Sequence, residues 1–323
     1  MKKIGVFTSG GDSPGMNACI RAVVRTALSK GIEVYGIYRG YEGMIDGDIV
    51  KMESHSVSNI IQRGGTILKT ARSERFMTPE GRAIAYENLQ KYGIEGLVVI
   101  GGDGSFRGAT VFREEYGIPV MGCPGTIDND LFGTDYTLGY DTAVNTVVQA
   151  IDKIRDTANS HDRMFIIEVM GRDAGFIALR SGIATGAEAV LIPETVTYIN
   201  ELISLLEKGW ERKKSSAIVI VAEGDDAGGA YQVADKVKEK FNRYDIRVTV
   251  LGQLQRGGSP SALDRVMGSR MGNSAVNALL AGRTDEMVGI MNHEVRFTPF
   301  QKATKHHNGI SPYLLELIDV LSN

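Results

Sequence analysis

Short apolar runs rich in β-branched residues recur along the chain, and segments with helical spacing separate most of them. Strands of parallel sheets form such continuous runs, because helices cover both faces of these sheets. Segment 141–158 is the clearest helix, since valine or isoleucine recurs every three or four residues and Asp141 can cap its start. The alternation predicts an α/β fold with mainly parallel sheets. The predicted strands are 4–7, 33–38, 96–101, 119–122, 164–170, 189–193, 217–224, 247–252 and 288–291.

At 323 residues the chain is long enough for about two domains, and its 43% of hydrophobic residues is enough to fill their cores. The pattern of predicted elements is consistent with a domain boundary near residue 140. A short tail helix is predicted at 311–322. The 36 basic and 39 acidic residues nearly balance, which indicates no nucleic-acid partner and no membrane surface. The segment MKKIGVFTSGG lacks a signal-peptide core, and Cys19 and Cys123 lie in apolar segments. We therefore expect a reduced, cytoplasmic protein.

Six predicted strands end in glycine next to polar or charged residues. In parallel α/β sheets, ligands bind at the loops that follow the carboxyl ends of the strands, so these segments form the candidate site. One such loop would be an ordinary turn, since glycine is common in turns, but six together favour a binding site. The segments are SGGDSPG (9–15), GGDGS (101–105), PGTIDND (124–130), MGRDAG (170–175), AEGDD (222–226) and GQLQRGGS (252–259).

The first loop leads from a strand into a helix, with Ser13 predicted as the N-cap and Pro14 as the first helical residue. Glycines and a helix N-terminus would then present backbone N–H groups to a phosphate. A tight turn without a ligand is the alternative. The chain has neither G-x-x-x-x-G-K-[ST] nor G-x-G-x-x-G, so neither common loop would bind a nucleotide here.

Carboxylates and arginines accompany the other loops. Asp103 in GGDGS lies in a second glycine-rich loop, where Mg²⁺ would separate it from a phosphate; a plain turn aspartate is the alternative. Asp128 and Asp130 in PGTIDND are either a redundant turn cap or two acids with different roles. Each arginine alone could be a surface residue, but together they indicate more than one phosphate, as phosphoryl transfer to a hydroxyl requires. The arginines are Arg72, Arg163, Arg172, Arg247 and Arg256.

These motifs, in this order and over nearly the whole chain, resemble those of the ATP-dependent 6-phosphofructokinases of bacterial glycolysis. PGTIDND combined with MGR and QRGG is specific, whereas GGDGS also resembles the loop of NAD kinases and diacylglycerol kinases. The resemblance implies the phosphofructokinase fold, with two three-layer αβα domains in each subunit of a homotetramer. The larger, ATP-binding domain would comprise residues 1–138 plus 251–301, and the smaller, sugar-phosphate-binding domain residues 139–250 plus 302–323.

The resemblance also implies a reaction, in which the γ-phosphoryl group of Mg-ATP passes to the 1-hydroxyl of fructose 6-phosphate. Asp128 would be the general base facing that hydroxyl, with Thr126 beside the transferred group. Asp103 would bind Mg²⁺ directly or through water, and Asp130 would assist. ATP would be held by Gly11, Arg72, Ser73, Gly102, Asp103, Gly104 and Ser105, with Arg72 bridging the phosphates.

The sugar phosphate would contact both its own subunit and a neighbour. Arg163 and Arg247 would come from the neighbour, so substrate affinity can depend on how the subunits are arranged. Gln253 replaces the histidine usual in this family; its amide donates a hydrogen bond but carries no charge, so we expect weaker, less pH-dependent sugar-phosphate binding with function retained. The contacts within one subunit would be Thr126, Ile127, Asp128, Met170, Gly171, Arg172, Glu223, Gln253 and Arg256, with Arg172 also catalytic.

Two glycines bear on the phosphoryl donor. Relatives that use pyrophosphate carry aspartate in place of Gly104 and lysine in place of Gly125. The absence of a side chain at Gly104 leaves room for the α-phosphate and nucleoside, and Gly125 leaves open the space of that lysine. The resemblance therefore favours ATP as the donor.

A second, allosteric nucleotide site is implied between subunits. Arg21 and Arg25 lie four residues apart on one predicted helix, where a solvated face is the alternative. Ser54 and Asn59 stand where some relatives have charged groups, which leaves open whether ADP activates or phosphoenolpyruvate inhibits. The remaining residues of this site would be Arg155, Gly186, Glu188 as a metal ligand, Arg212 and Lys214.

Three other functions remain open from the sequence: a pyrophosphate-dependent phosphofructokinase, a kinase for another sugar phosphate, and a nucleotide sensor without catalysis. A sensor would not need both Asp103 and Asp128, which favours an enzyme. His306-His307 is predicted to lie in an exposed turn, because no further ligand is spaced to complete a metal site.

Overall fold

The computed structural model describes residues 1–161, 163–304 and 309–322, so His306 and His307 lie outside the described residues. The chain folds as two compact units. Unit 1 comprises Met1–Thr142 and Arg256–Asn308, and unit 2 comprises Ala143–Gln255 and Gly309–Asn323. Within the described ranges, no helix combines the length and apolar character needed to cross a membrane.

Strands and helices alternate through both units, as the apolar pattern predicts. In chain order they are β1 (Lys3–Thr8), α1 (Met16–Ser29), β2 (Glu33–Ile37), α2 (Gly40–Asp46), β3 (Ile49–Met52), α3 (Pro79–Tyr92), β4 (Gly96–Gly101), α4 (Asp103–Tyr116), β5 (Val120–Pro124), α5 (Tyr140–Asn159), β6 (Arg163–Val169), α6 (Phe176–Thr185), β7 (Ala189–Leu191), α7 (Ile199–Glu211), β8 (Ala217–Ala222), α8 (Ala230–Lys238), β9 (Asp245–Val250), α9 (Ala262–Leu280), β10 (Glu286–Met291), β11 (Glu294–Pro299) and α10 (Pro312–Ser322).

Unit 1 is built on a seven-stranded sheet with the order β11-β10-β5-β4-β1-β2-β3. The central strands are parallel, and only β3 and β11 pair antiparallel with their neighbours. Successive residues of a strand point to opposite faces, so Ile4 and Val6 pack with α1 and α9, whereas Phe7 joins a second core that includes residues of α2, α3 and α4. The unit therefore has three layers, with helices on both faces of the sheet.

Unit 2 is built on a four-stranded parallel sheet with the order β7-β8-β6-β9. One face is covered by α7 and α8, whose apolar residues Leu206 and Val237 pack with Met164 and Ile166 of β6. Helix α6 packs against β7 and β8, and the tail helix α10 packs against α6. The predicted α/β class with mainly parallel sheets is confirmed.

Two short antiparallel strands, β3 and β11, were not predicted from the sequence. Both are partly exposed. The two middle residues of β3 are exposed, and only one of the six residues of β11 is buried. Both strands lie at the ends of the sheet, where helices cover them incompletely, so they do not have the continuous apolar run on which the prediction depends.

Two predicted helix caps are wrong. Helix α1 begins at Met16 with the left-handed Gly15 as its N-cap, and Ser13 lies before it, fully buried. The reason is the backbone of Gly15, whose φ of 95° turns the chain after Pro14. Helix α5 begins at Tyr140, so Asp141 lies inside the first turn, where its charge still favours the helix dipole.

Ser13→Ala is expected to raise the free energy of unfolding, by about 1 kcal/mol, because its buried hydroxyl has no hydrogen-bond partner among the described residues. Replacing an N-cap serine by alanine would have the opposite effect and lower the free energy of unfolding by about 1 kcal/mol. Ser261→Ala is the matched control, since Ser261 caps α9 by accepting a hydrogen bond from the Asp264 N–H at 3.2 Å. Urea denaturation of the parent and both variants measures the difference, and equal destabilisation of the two variants would contradict it.

Candidate active site

Three of the predicted loops lie side by side at the carboxyl edge of the unit 1 sheet, because β5, β4 and β1 are adjacent parallel strands. The Ser9 N–H donates to the Ile100 carbonyl at 3.0 Å, and the Gly125 N–H donates to the Gly101 carbonyl at 2.9 Å. Segments 9–15, 101–105 and 124–130 are thereby joined. The chain proceeds from β1 to β2 on one side and from β4 to β5 on the other, so this edge includes the switch point where ligands bind in such sheets.

In the loop after β1, the accessible backbone lies at Gly10 and Gly11, which are both exposed. The predicted approach of a phosphate to the α1 N-terminus is wrong, because the first turn of α1 is buried from Met16 onward. Arg256 covers the loop: its Nη1 donates to the Asp12 carbonyl at 3.3 Å. A Cβ atom at Gly11 would lie 2.7 Å from that Nη1, so a larger residue would require the guanidinium group to shift.

The segment that includes Arg72 and Ser73 lies against the same loop. The Thr70 hydroxyl donates to the Gly10 carbonyl at 2.7 Å, and the Thr8 hydroxyl donates to the Lys69 carbonyl at 2.8 Å. The Arg72 side chain is exposed. These bonds put the predicted phosphate-bridging arginine next to the exposed glycines.

Two residues that support these loops were not predicted from the sequence. Glu42 accepts a hydrogen bond from the Ser73 hydroxyl and forms an ion pair with Arg75, whose Nη1 lies 2.7 Å from Glu42 Oε1. Tyr41 is buried, and its hydroxyl donates to the Ser105 carbonyl at 2.6 Å. Both lie on α2, a seven-residue helix in which Tyr41, Met44 and Ile45 have helical spacing. The segment is short and contains two glycines, so it was not predicted as a helix.

Helix α4 begins within GGDGS, with Gly102 as its N-cap and Asp103 as its first residue. Asp103 is buried and forms an ion pair with Arg107 one turn later. Gly104 is exposed, and a Cβ atom added there would meet no atom within 4 Å. Such a Cβ at Gly102 would lie 3.9 Å from the Thr126 Cβ, so the first turn of α4 adjoins the PGTIDND loop.

The carboxylates of this region suit magnesium better than a metal held by the protein alone. Among the described residues, no group of three or more His, Cys, Asp or Glu side chains could hold a metal ion. Mg²⁺ is usually bound by one or two carboxylates plus substrate phosphates and water. Asp103 and Asp130, both buried at the ligand edge of the sheet, are the oxygen donors that fit this pattern.

In the PGTIDND loop, Asp128 and Asp130 are each 3% exposed, so neither is a solvated turn residue. The Asp128 N–H donates to the Thr126 hydroxyl at 3.2 Å. Asn129 between the two acids has a left-handed backbone, with φ of 53°. In an extended strand, side chains two residues apart point to the same face. Because Asn129 is left-handed, this rule does not apply to Asp128 and Asp130, and the two carboxylates can point in different directions.

The space at Gly125 is not open, contrary to the prediction. A Cβ atom there would lie 2.8 Å from Met16 Cε and 3.1 Å from Ile100 Cγ2. Gly125 leads out of β5 against the core, so close packing explains the glycine.

A buried carboxylate from α9, Asp264, holds the far end of the same loop. It accepts hydrogen bonds from the Gly139 N–H at 2.8 Å, the Thr142 N–H at 2.9 Å and the Thr142 hydroxyl. Burial raises the pKa of Asp264 above its usual range, with Thr142 opposing the shift. The sequence had no signal for this contact, because the partners are more than 120 positions apart.

Asp264→Asn is expected to destabilise the chain by about 2 kcal/mol, because an amide cannot accept from all three donors. The folded chain keeps the Asp264 proton to higher pH than the unfolded chain, where aspartate titrates near about 3.9. The stability that this group contributes is therefore full below about pH 4 and is lost as the pH rises through the raised pKa. In urea denaturation, the difference in unfolding free energy from the parent should narrow as the pH rises above about 4. A widening difference would contradict the assignment. Asp152→Asn, at an exposed position of α5, is the control.

In unit 2, the loops after β6, β8 and β9 also lie at one edge, since these strands are adjacent and parallel. The Arg172 N–H donates to Glu223 Oε1 at 2.7 Å. The Met170 N–H donates to Oε1 of Gln255, a fully buried residue that was not predicted. The predicted sugar-phosphate residues of these loops are thereby brought together, while Gln253 is exposed beside them.

Arg163 lies at the opposite end of that sheet, and Arg247 is the third residue of β9, in register with Phe165. Arg163 is the first residue of the seven-residue β6, about 20 Å along the strand from the loop that follows it. Both arginines bind Asp245, with Arg163 Nε at 3.1 Å and Arg247 Nη2 at 2.7 Å from Oδ2, and they hold the pKa of Asp245 below its usual range, Arg247 more strongly. Within this chain the two arginines therefore do not reach the edge where Arg172 lies.

The predicted effector residues are divided between the units. Arg21 and Arg25 lie on α1 in unit 1. In unit 2, Arg155 Nη2 donates to the Gly186 carbonyl at 3.1 Å. A cavity of about 430 Å³ is lined by three of the predicted residues, together with residues of α7 and Tyr244. The three are Glu188, Arg212 and Lys214, and Lys214 Nζ lies 3.8 Å from Glu188 Oε1.

Comparison with known proteins gives consistent matches. The profile of the phosphofructokinase family matches residues 3–279. A Thermus thermophilus protein named ATP-dependent 6-phosphofructokinase 1 is 58% identical over 322 residues, covering 100% of both chains. A Bacteroides thetaiotaomicron protein named ATP-dependent 6-phosphofructokinase 2 is 53% identical over 322 residues, covering 100% of this chain and 99% of its own. The solved phosphofructokinase of Saccharomyces cerevisiae matches with a TM-score of 0.89 and 37% identity over 99% of this chain; this chain spans 46% of that one.

Proposed function

This chain belongs to the phosphofructokinase family, and we propose that it transfers the γ-phosphoryl group of ATP to the 1-hydroxyl of fructose 6-phosphate. The resemblance seen in the sequence is confirmed, and relatives 53% and 58% identical over their full length are named ATP-dependent 6-phosphofructokinases, which disfavours a pyrophosphate donor. The observation that carries the proposal is the row of three joined loops in unit 1. Two of them offer glycine backbone, and the third buries Asp128.

Asp128 would act as the general base. The sugar oxygen attacks the γ-phosphorus, the bond from that phosphorus to the β-bridging oxygen breaks, and the hydroxyl proton passes to the Asp128 carboxylate. The base need not be strong, because the oxygen loses its proton late in a loose transition state. The Thr126 hydroxyl, which already accepts from the Asp128 N–H, would adjoin the transferred group.

The ATP phosphates would contact the exposed glycines of the first loop and the first turn of α4. Arg72 would bridge phosphate oxygens as negative charge moves from the γ- to the β-phosphate, and Arg172 would assist catalysis from the sugar side. Mg²⁺, bound with ATP by Asp103 and Asp130, would neutralise phosphate charge and polarise the transferred group. For Asp103 to bind Mg²⁺, its ion pair with Arg107 would have to break.

The sugar phosphate would be bound by Met170, Gly171, Arg172, Glu223, Gln253 and Arg256. Gln253 would donate an amide N–H without adding charge. Arg163 and Arg247 both bind Asp245, the first residue of β9, which supports a role in the site of a neighbouring copy. The resemblance to the family extends this proposal to a homotetramer with shared sites. Asp245 would hold the two arginines together for this task.

Effector binding is the second part of the proposal. The unit 2 cavity with Glu188, Arg212 and Lys214 joins cations to a carboxylate that can bind a metal, which suits a nucleotide such as ADP or a small phosphorylated acid such as phosphoenolpyruvate. Arg21 and Arg25 would complete this site from another copy. Isothermal titration of the parent with ADP and with phosphoenolpyruvate distinguishes the two effectors.

A coupled assay with fructose 6-phosphate tests the function. We expect turnover with Mg-ATP and none above background with pyrophosphate. Turnover with pyrophosphate alone would contradict the donor assignment. ATP binding without turnover on any sugar phosphate would favour a nucleotide sensor instead.

A further inference from the structure

Asn129, between the two acids of the PGTIDND loop, makes contacts that none of the roles above requires. It is 8% exposed and takes a left-handed backbone conformation. Asparagine tolerates this conformation better than most residues but pays for it relative to glycine. A buried asparagine here therefore indicates that its amide group is needed.

The side-chain amide of Asn129 forms hydrogen bonds across the loop, both as acceptor and as donor. Its Oδ1 accepts from the Thr137 N–H at 2.7 Å, and its Nδ2 donates to the Asp135 carbonyl at 3.2 Å. The side chain thus takes the place of a strand partner for segment 135–137, using one donor and one acceptor. Aspartate would supply only acceptors and would add a third negative charge between two carboxylates.

Thr137 also contacts the loop on the N-terminal side of Asp128. Its buried hydroxyl donates to the Thr126 carbonyl at 2.6 Å. One residue further, the Leu138 N–H donates to the Pro124 carbonyl at 2.8 Å. Residues 126 and 129, which flank the Ile127-Asp128 dipeptide, are therefore both attached to Thr137.

We propose that Asn129 and Thr137 are the positioning residues of Asp128, holding its carboxylate in the orientation needed to receive the sugar proton. This inference rests on the proposed function, because it assumes that Asp128 is the base. Neither residue would touch the reacting atoms. Their effect would act on the geometry of proton transfer, in which a displacement of about 1 Å can cost about 10²-fold in rate.

The test uses the full chain and three variants. Asn129→Gly keeps the left-handed backbone accessible but removes both amide bonds. Thr137→Val removes the hydroxyl bond, and Thr137→Ser keeps it. Asn292→Gly is the matched control, because Asn292 is an exposed residue with φ of 49° in the β10–β11 turn.

We expect Asn129→Gly to lower kcat by about 10²-fold and Thr137→Val by about 10-fold, with the KM of both substrates changed less than about 3-fold. Thr137→Ser and Asn292→Gly should keep the parental kcat. If the substitutions only disturbed packing, they would lower the melting temperature and raise both KM values, and kcat would not fall selectively. Parental kcat in Thr137→Val would overturn the proposal even if Asn129→Gly did not fold. A parent with no phosphofructokinase activity would instead overturn the proposed function, so the two failures are distinguishable.

Discussion

Asp128→Asn is expected to lower kcat by about 10²–10⁴-fold, the usual contribution of a positioned general base, with the KM of both substrates little changed. Asparagine has nearly the same shape as aspartate, so it suits a side chain that is only 3% exposed. It cannot accept the proton of the sugar hydroxyl, whereas it can still occupy the loop. The loss should therefore fall on the chemical step alone.

The measurement is steady-state kinetics with Mg-ATP and fructose 6-phosphate, supported by titration of Mg-ATP to show that binding persists. Asp152→Asn, on an exposed position of α5, controls for the loss of one carboxylate. Asp103→Ala should differ from Asp128→Asn by raising the KM for Mg-ATP. If Asp128→Asn kept near-parental kcat, Asp128 would not be the base.

Gly104→Asp is expected to lower kcat/KM for ATP by about 10²-fold or more, because a carboxylate next to the nucleotide phosphates juxtaposes like charges at a cost of several kcal/mol. The fold should tolerate the change, since a side chain at Gly104 meets no atom within 4 Å. Its charge in the first turn of α4 would add about 0.3–1 kcal/mol of stability through the helix dipole. Activity and stability would thus move in opposite directions.

Gly104→Ala separates charge from size and should lose less activity than the aspartate variant. Pyrophosphate is tested as a donor in the same assay, because the resemblance to the family associates aspartate at this position with pyrophosphate as the donor. The parallel change at Gly125 would not test the donor, since its Cβ would meet Met16 at 2.8 Å and disturb the core. Unchanged kcat/KM for ATP in Gly104→Asp would place the nucleotide away from α4.

The α/β class and the position of the candidate site follow from local patterns. Buried strands have continuous apolar runs because helices cover both faces, and the loops after parallel strands meet at one edge of a sheet. For this reason SGGDSPG, GGDGS and PGTIDND could be grouped before the strand order was known. The order β5-β4-β1 then puts these loops next to one another.

Contacts between distant segments could not be read from the chain. Asp264 and Gly139 are joined although 125 positions separate them, and the Tyr41 hydroxyl reaches Ser105 over 64 positions. Ser13 had the right residue type and spacing for an N-cap, but the left-handed Gly15 starts the helix later and leaves the serine buried. Each outcome depends on which groups packing brings within hydrogen-bond distance, and side-chain periodicity carries no record of that.

The two acids of PGTIDND show where the division lies. Residue types and order alone were enough to identify a loop with two carboxylates at a ligand-binding edge, because turn chemistry and strand ends are local properties. Only the folded chain decided that both carboxylates are buried, that Asn129 between them is left-handed, and that Thr137 ties the loop on either side of Asp128. The reason is physical: a carboxylate's orientation is set by the hydrogen bonds and packing around it, and those come from residues that the loop meets only after folding.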